Sequence, residues 1–128
     1  SFGRWKPINA KVGGFVSCRE EKVWDKVFRG MKPLTNDDMI SQIYDSFQEL
    51  PHRVAKLVLI RDKVLKDLAD FDIVHPYDNG FVVVIRYHSK EAKSAIIDYC
   101  KENGLEYTEC PRYIRLNDKA ISIEIKRL

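Results

Sequence analysis

Residues 52–71 read HRVAKLVLIRDKVLKDLADF, and how this stretch folds decides the architecture of the whole chain. Its centre, Lys56-Leu57-Val58-Leu59-Ile60-Arg61, has the β-branched and aliphatic content of a strand. Yet Val54, Leu57, Val58, Val64, Leu65 and Leu68 also recur at helical spacing, and periodicity alone does not separate the two. A helix throughout, or two helices with a turn near Arg61 and Asp62, places three or four helices before any sheet. A strand followed by a short helix from Asp62 to Ala69 makes residues 54–126 a β-α-β-β-α-β series. The resemblance of Leu57-Val58-Leu59-Ile60-Arg61 to Val82-Val83-Val84-Ile85-Arg86 favours the strand version. Both readings remain open on sequence.

Upstream, Ser17 and Glu20 have capping-box spacing, followed by Val23, Trp24, Val27 and Phe28 on one helical face and a stop at Gly30. Pro33 and the polar run Thr35 to Asp38 form a break. Thr35 or Asn36 then caps a second helix striped by Met39, Ile40, Ile43, Tyr44 and Phe47 and stopped near Pro51.

Downstream, Asp78-Asn79-Gly80 between apolar runs predicts a tight hairpin that pairs His75 with Val84 and Tyr77 with Val82. Ser89 caps a helix carrying Ala92, Ala95, Ile96, Tyr99 and Cys100, ended by Asn103-Gly104 with Leu105 folding back. A second hairpin is expected to run from Glu106 to Leu116, turn at Asn117-Asp118 and return from Lys119 to Lys126. There Ile121, Ile123 and Ile125 alternate, and Pro111 restricts its strand to an edge or bulge. The expected fold is α+β: a helical N-terminal half, then a β-hairpin, helix, β-hairpin unit, with winged-helix-like and ferredoxin-like arrangements as alternatives. Its 128 residues predict one domain over 17–128 behind a basic aromatic arm over 1–16.

Composition narrows the function classes. With 45% hydrophobic and 32% charged residues the chain can bury a core, and no stretch has the ~18 apolar residues of a membrane span. Cys18, Cys100 and Cys110 form no C-x-x-C pair, which reads as a reduced protein of the cytoplasm or another intracellular space. The chain opens on Ser1-Phe2-Gly3-Arg4 rather than Met, which is expected of a trimmed piece or of a chain that carries a tag. Net charge is +3, and residues 1–19 hold Arg4, Lys6, Lys11 and Arg19 with no acid. Interleaved with Phe2, Trp5 and Phe15, that arm suits phosphates and bases, or docks its rings on the protein's own core.

No nucleophile elbow or phosphate loop occurs. His75 and His88 share a face but stand roughly 13 Å apart at strand spacing, too far for one proton relay. Asp70, Asp72 and His75 form a loose group short of metal-site spacing. Cys110 sits before Pro111 and beside Glu106 and Glu109, which is poor company for a thiolate. No catalytic residue, metal or cofactor is therefore expected.

The binding surface expected instead combines Arg4, Trp5, Lys6 and Lys11 of the arm with Lys63 and Lys66 of a candidate recognition helix. Tyr77 and Arg86 of the first hairpin and Tyr113 and Arg115 of the second complete it. Such a set contacts phosphates and stacks bases of DNA or RNA, making the chain a small nucleic-acid-binding or regulatory protein. A protein-interaction module engaging a protein partner is the alternative, and a metal-independent nuclease using His75 or His88 a distant one. No membrane partner is expected.

Overall fold

The computed structural model describes residues 1–111 and 117–128. The chain divides into two compact units, Ser1–Pro51 and His52–Leu128, and each is described by itself.

The first unit carries α1 (Glu21–Phe28) and α2 (Asp37–Gln48). Helix α1 begins at Glu21 with Glu20 at its N-cap and no side-chain cap. Ser17 thus sits a full turn too early to reach the first free amides, and the expected capping box does not form. For α2 the cap is Asn36, whose Oδ1 accepts from the Met39 amide at 2.9 Å, and Asp37 and Asp38 suit the helix dipole. The opening segment folds back on this unit. Phe2 is buried, its amide donates to the Gly13 carbonyl at 3.1 Å, and its ring meets Phe47 edge-on at 5.2 Å. Gly13 allows this approach: its φ is +73°, and a Cβ there would lie 2.8 Å from Ile43 Cδ1.

In the second unit residues 52–67 are helical throughout, within α3 (Leu50–Asp67). Pro51 lies in the first turn of the helix, where its missing N–H costs nothing, and Leu57, Val64 and Leu68 bury one stripe. Leu59 is 71% exposed, so the strand-like run Leu57 to Ile60 supplies a core face and an outer face of one helix. The chain continues through β1 (Asp72–Ile73), β2 (Val83–Arg86), α4 (Lys90–Glu102), β3 (Tyr107–Cys110), β4 (Ala120–Ile123) and a 3-10 turn (Ile125–Arg127). The class is α+β. With 56–61 helical, the ferredoxin-like series has lost its first strand.

All strand pairs are antiparallel and the order is β1-β2-β4-β3. Val83 pairs with Ile123 and Ile85 with Ile121, so the first hairpin is built into a four-stranded sheet and is not a free wing. Val83, Ile85, Ile121 and Ile123 pack with Leu57 and Val64 of α3 and Ile96 and Cys100 of α4 in one cluster. Burial of each large side chain is worth about 1.5–3 kcal/mol. Ser89 Oγ accepts from the Ala92 amide at 3.0 Å to start α4. Gly104, at φ +63°, ends it while the Leu105 amide returns to the Cys100 carbonyl at 2.8 Å.

Both hairpins depart from their expected registers. Ile73 pairs with Ile85 and the Val74 amide donates to the Val84 carbonyl, one residue away from the expected pairing. The turn is His75-Pro76-Tyr77-Asp78, closed by the Asp78 amide on the His75 carbonyl at 3.3 Å, rather than Asn79-Gly80. Pro76 cannot donate to a ladder and favours the second position of a turn. Arg61 holds the loop from α3, donating to the carbonyls of Pro76 and Asp78. In the second hairpin Cys110 pairs with Ala120, whereas a two-residue turn at Asn117-Asp118 would set it opposite Ile125. The expected strand residues Arg112 to Leu116 lie outside the described residues.

Candidate anion-binding cleft

Strand β2 ends at Arg86, and Tyr87 and His88 lead from it into the Ser89 cap of α4. Tyr87 stays tied to the residue that precedes β4, its amide donating to the Lys119 carbonyl at 3.2 Å. The three segments enclose a cleft of about 500 Å³ lined by Arg86, Tyr87, His88, Ser89, Lys90, Lys93, Asp118 and Lys119. Four of these side chains are cations and one is a carboxylate.

Two of the cations are fixed by acids. Arg86 Nε bonds Asp118 at 2.6 Å and Nη1 lies 3.6 Å from Asp72. The Asp118 hydrogen bond, with the neighbouring carboxylate charges, raises the guanidinium pKa further. Lys93 Nζ bonds Glu109 at 2.7 Å and sits 5.7 Å from the Tyr87 ring centroid. The Glu109 bond, foremost, pushes its pKa up as well. His88 Nε2 stands 3.6 Å from Asp72. Lys90 and Lys119 are exposed and make no ion pair with a described residue. The Glu91 carboxyl is held low by its own backbone amide and by Ser89, which keeps a negative charge at the start of α4, where Ser89 Oγ already takes the Ala92 amide. An incoming anion therefore meets lysine side chains rather than the helix end.

The cleft assembles one residue of the expected binding surface, Arg86. Arg4, Trp5, Lys6 and Lys11 are exposed in the first unit, where Trp5 and Lys11 have positive φ. On α3, Lys63 is paired with Asp67, and Lys66 is exposed. Tyr77 is 94% exposed in the loop that precedes β2, at the opposite end of that strand from Arg86. Tyr113 and Arg115 lie outside the described residues. Between the isoleucines, Ser122 and Glu124 are buried, and Glu124 Oε1 accepts from Ser122 at 2.9 Å. Burial alone would raise the Glu124 carboxyl, but Lys126, Ser122 and Arg127 together bring it below its ordinary value.

Lys90, Lys93 and Lys119 were not among the expected site residues. Their signal was local: two lysines three apart just after a helix cap, immediately following a strand that ends in arginine. Among the described residues no three His, Cys, Asp or Glu side chains converge as a metal site, and no helix is long and apolar enough to cross a membrane.

Comparison with curated proteins and with solved structures returns no significant match. The C-terminal domain described for the MJ1341 family matches residues 51–128, a span that takes in α3 from Pro51 onward, the four strands and every residue of the cleft. The chain thus belongs to the MJ1341 family, through its C-terminal domain.

Proposed function

We propose that the protein binds the sugar-phosphate backbone of DNA or RNA through the cleft beside α4. The observation that carries this reading is the pairing pattern: Lys90 and Lys119 are uncommitted among the described residues, while Asp118 and Glu109 hold Arg86 and Lys93 in place beside them. Oriented cations next to free ones suit successive phosphates, and a cleft of about 500 Å³ admits a strand more readily than a duplex. One face of Tyr87 lies under Lys93, so the reading is backbone contact without base readout. The three free cysteines accord with an intracellular setting.

The test is fluorescence anisotropy with short single-stranded DNA and RNA at ~50 and ~200 mM salt. Four phosphate contacts on a single strand give a log–log slope of about −3, which is about a 50-fold loss of affinity across that range. The double variant Lys90→Glu, Lys119→Glu should remove at least half of that slope and leave the thermal midpoint unmoved. Salt-independent binding, or an unchanged slope in the variant, overturns the proposal.

A second reading, a protein-interaction module, is favoured by the first unit. Neither α1 nor α2 buries a residue, and Trp24, Val27, Ile40 and Tyr44 are 40–63% exposed. Retention of a protein partner by the full chain, lost on Trp24→Ser with nucleic-acid affinity intact, would support it.

A further inference from the structure

A second concavity, of about 210 Å³, opens between α3 and the C-terminal end of α4. It shares no residue with the basic cleft. Its floor is apolar: Val64 and Leu105 belong to the buried core, and Ile60 packs against that core. Leu128 lines one side, placed there by Arg53, whose Nη1 donates to the Leu128 carbonyl at 2.8 Å.

The polar groups at the mouth are nearly all committed. Lys63 Nζ bonds Asp67, lies 3.4 Å from Asn103 Oδ1 and rests 5.5 Å from the Tyr99 ring centroid. Tyr99 donates its hydroxyl to Asp67 at 2.7 Å. Asn103 spends its Nδ2 on the Tyr99 carbonyl at 2.9 Å. Lys56 differs. It stands one turn of α3 before Ile60, on the same helix face, and its ammonium makes no ion pair with a described residue. An apolar slot with one free cation at its lip is complementary to one anionic oxygen pair on a compact apolar body.

The geometry points to a binding site for a small monocarboxylic acid, with its aliphatic or aromatic body on Ile60, Val64 and Leu105 and its carboxylate on Lys56. The size of the slot sets the class. At about 210 Å³ it falls below the ~300–1,000 Å³ of ordinary ligand pockets, which excludes nucleotides and long acyl chains and admits acids of roughly benzoate or hexanoate size. The committed state of Lys63 sets the charge, because a doubly anionic ligand would find only one free partner.

The test titrates ¹⁵N-labelled full-length protein with benzoate, benzamide and inorganic phosphate, following amide shifts by NMR. Benzoate should move the amides of Lys56 to Val64 and of Asn103 to Leu105. Benzamide, equal in shape and uncharged, should bind about tenfold more weakly, the worth of one charge-assisted contact. Phosphate should leave these amides in place. Lys56→Gln should bring benzoate down to the affinity of benzamide, and Ile60→Phe should abolish binding of both by filling the slot. Equal affinity for benzoate and benzamide, benzoate binding unaltered by Lys56→Gln, or no shift at these amides would overturn the assignment. Shifts confined to Arg86, Tyr87 and Lys90 would also overturn it, by placing benzoate in the other cleft.

Discussion

Arg53 Nη1 donates to the carbonyl oxygen of Leu128 at 2.8 Å, and Nη2 of the same guanidinium donates to Lys126 at 3.0 Å. One planar fork thereby joins the first turns of α3 to the 3-10 turn that follows the central strand. Arg53→Ala should cost about 2 kcal/mol, and Arg53→Lys about 1 kcal/mol, because an ammonium cannot serve both carbonyls in that plane. Urea denaturation with an unchanged m-value is the measurement, and a wild-type midpoint in Arg53→Ala would discount the clamp.

The loop 74–82 is held by Arg61, whose side chain is only 11% exposed, and not by a tight Asn-Gly turn. Arg61→Ala should speed amide exchange at Asp78 to Gly80 and cost about 1–2 kcal/mol. Gly80 has an ordinary φ and open space around its Cβ position, so Gly80→Ala should change stability by less than about 0.5 kcal/mol. A larger loss in Gly80→Ala would restore the type I′ turn.

Two leucine and isoleucine truncations separate the helical reading of residues 56–61 from the strand reading. Leu59 is 71% exposed on α3, and Leu59→Ala should stay within about 0.5 kcal/mol of wild type. Ile121, fully buried in the centre of the sheet, should cost about 2–5 kcal/mol when cut to alanine. Equal penalties at the two positions would contradict the placement of α3.

Burial, helped by the hydrogen bond to Asp67, pushes the Tyr99 hydroxyl from 10.0 up to about 12. A raised folded pKa means that the contribution is whole below pH 10 and is lost as pH climbs from 10 towards 12. Stability should therefore fall across that window in the wild type, and Tyr99→Phe should flatten it. Tyrosinate absorbance should show a phenol ionising near pH 12 in the wild type that is lost in Tyr99→Phe.

Glu124 acts at the other end of the scale. Its folded pKa lies below 4.5, so its contribution is present above 4.5 and is lost as pH falls beneath it. Glu124→Gln should lower stability at neutral pH by about 1–3 kcal/mol, since Ser122 and Lys126 lose an ionised partner. It should also shrink the acid-induced loss. An acid limb identical to wild type would remove Glu124 from the titrating set.

Much of the fold was legible because it was written in short-range chemistry. Asn36 and Ser89 are caps by side-chain reach, Gly104 ends α4 through its left-handed backbone, and the alternating isoleucines face the core. What stayed hidden depends on partners distant in sequence. The helical state of Leu57 to Ile60 follows from the sheet and α4 that cover Leu57 and Val64, and the hairpin register follows from Arg61 reaching a loop fifteen positions on. The cleft was missed for the same reason: Arg86 meets Asp118 across 32 positions, a spacing that periodicity does not carry.

The pairing of Val83 with Ile123 has a consequence for synthesis. When the last residue of β2 is added to the growing chain, the first of β4 is still thirty-four positions away, and the only strand available to β2 is the two-residue β1. Val83 and Ile85 must stay wet through the translation of α4 and β3. The nascent chain is most open to chaperones, and to misassociation, during that interval.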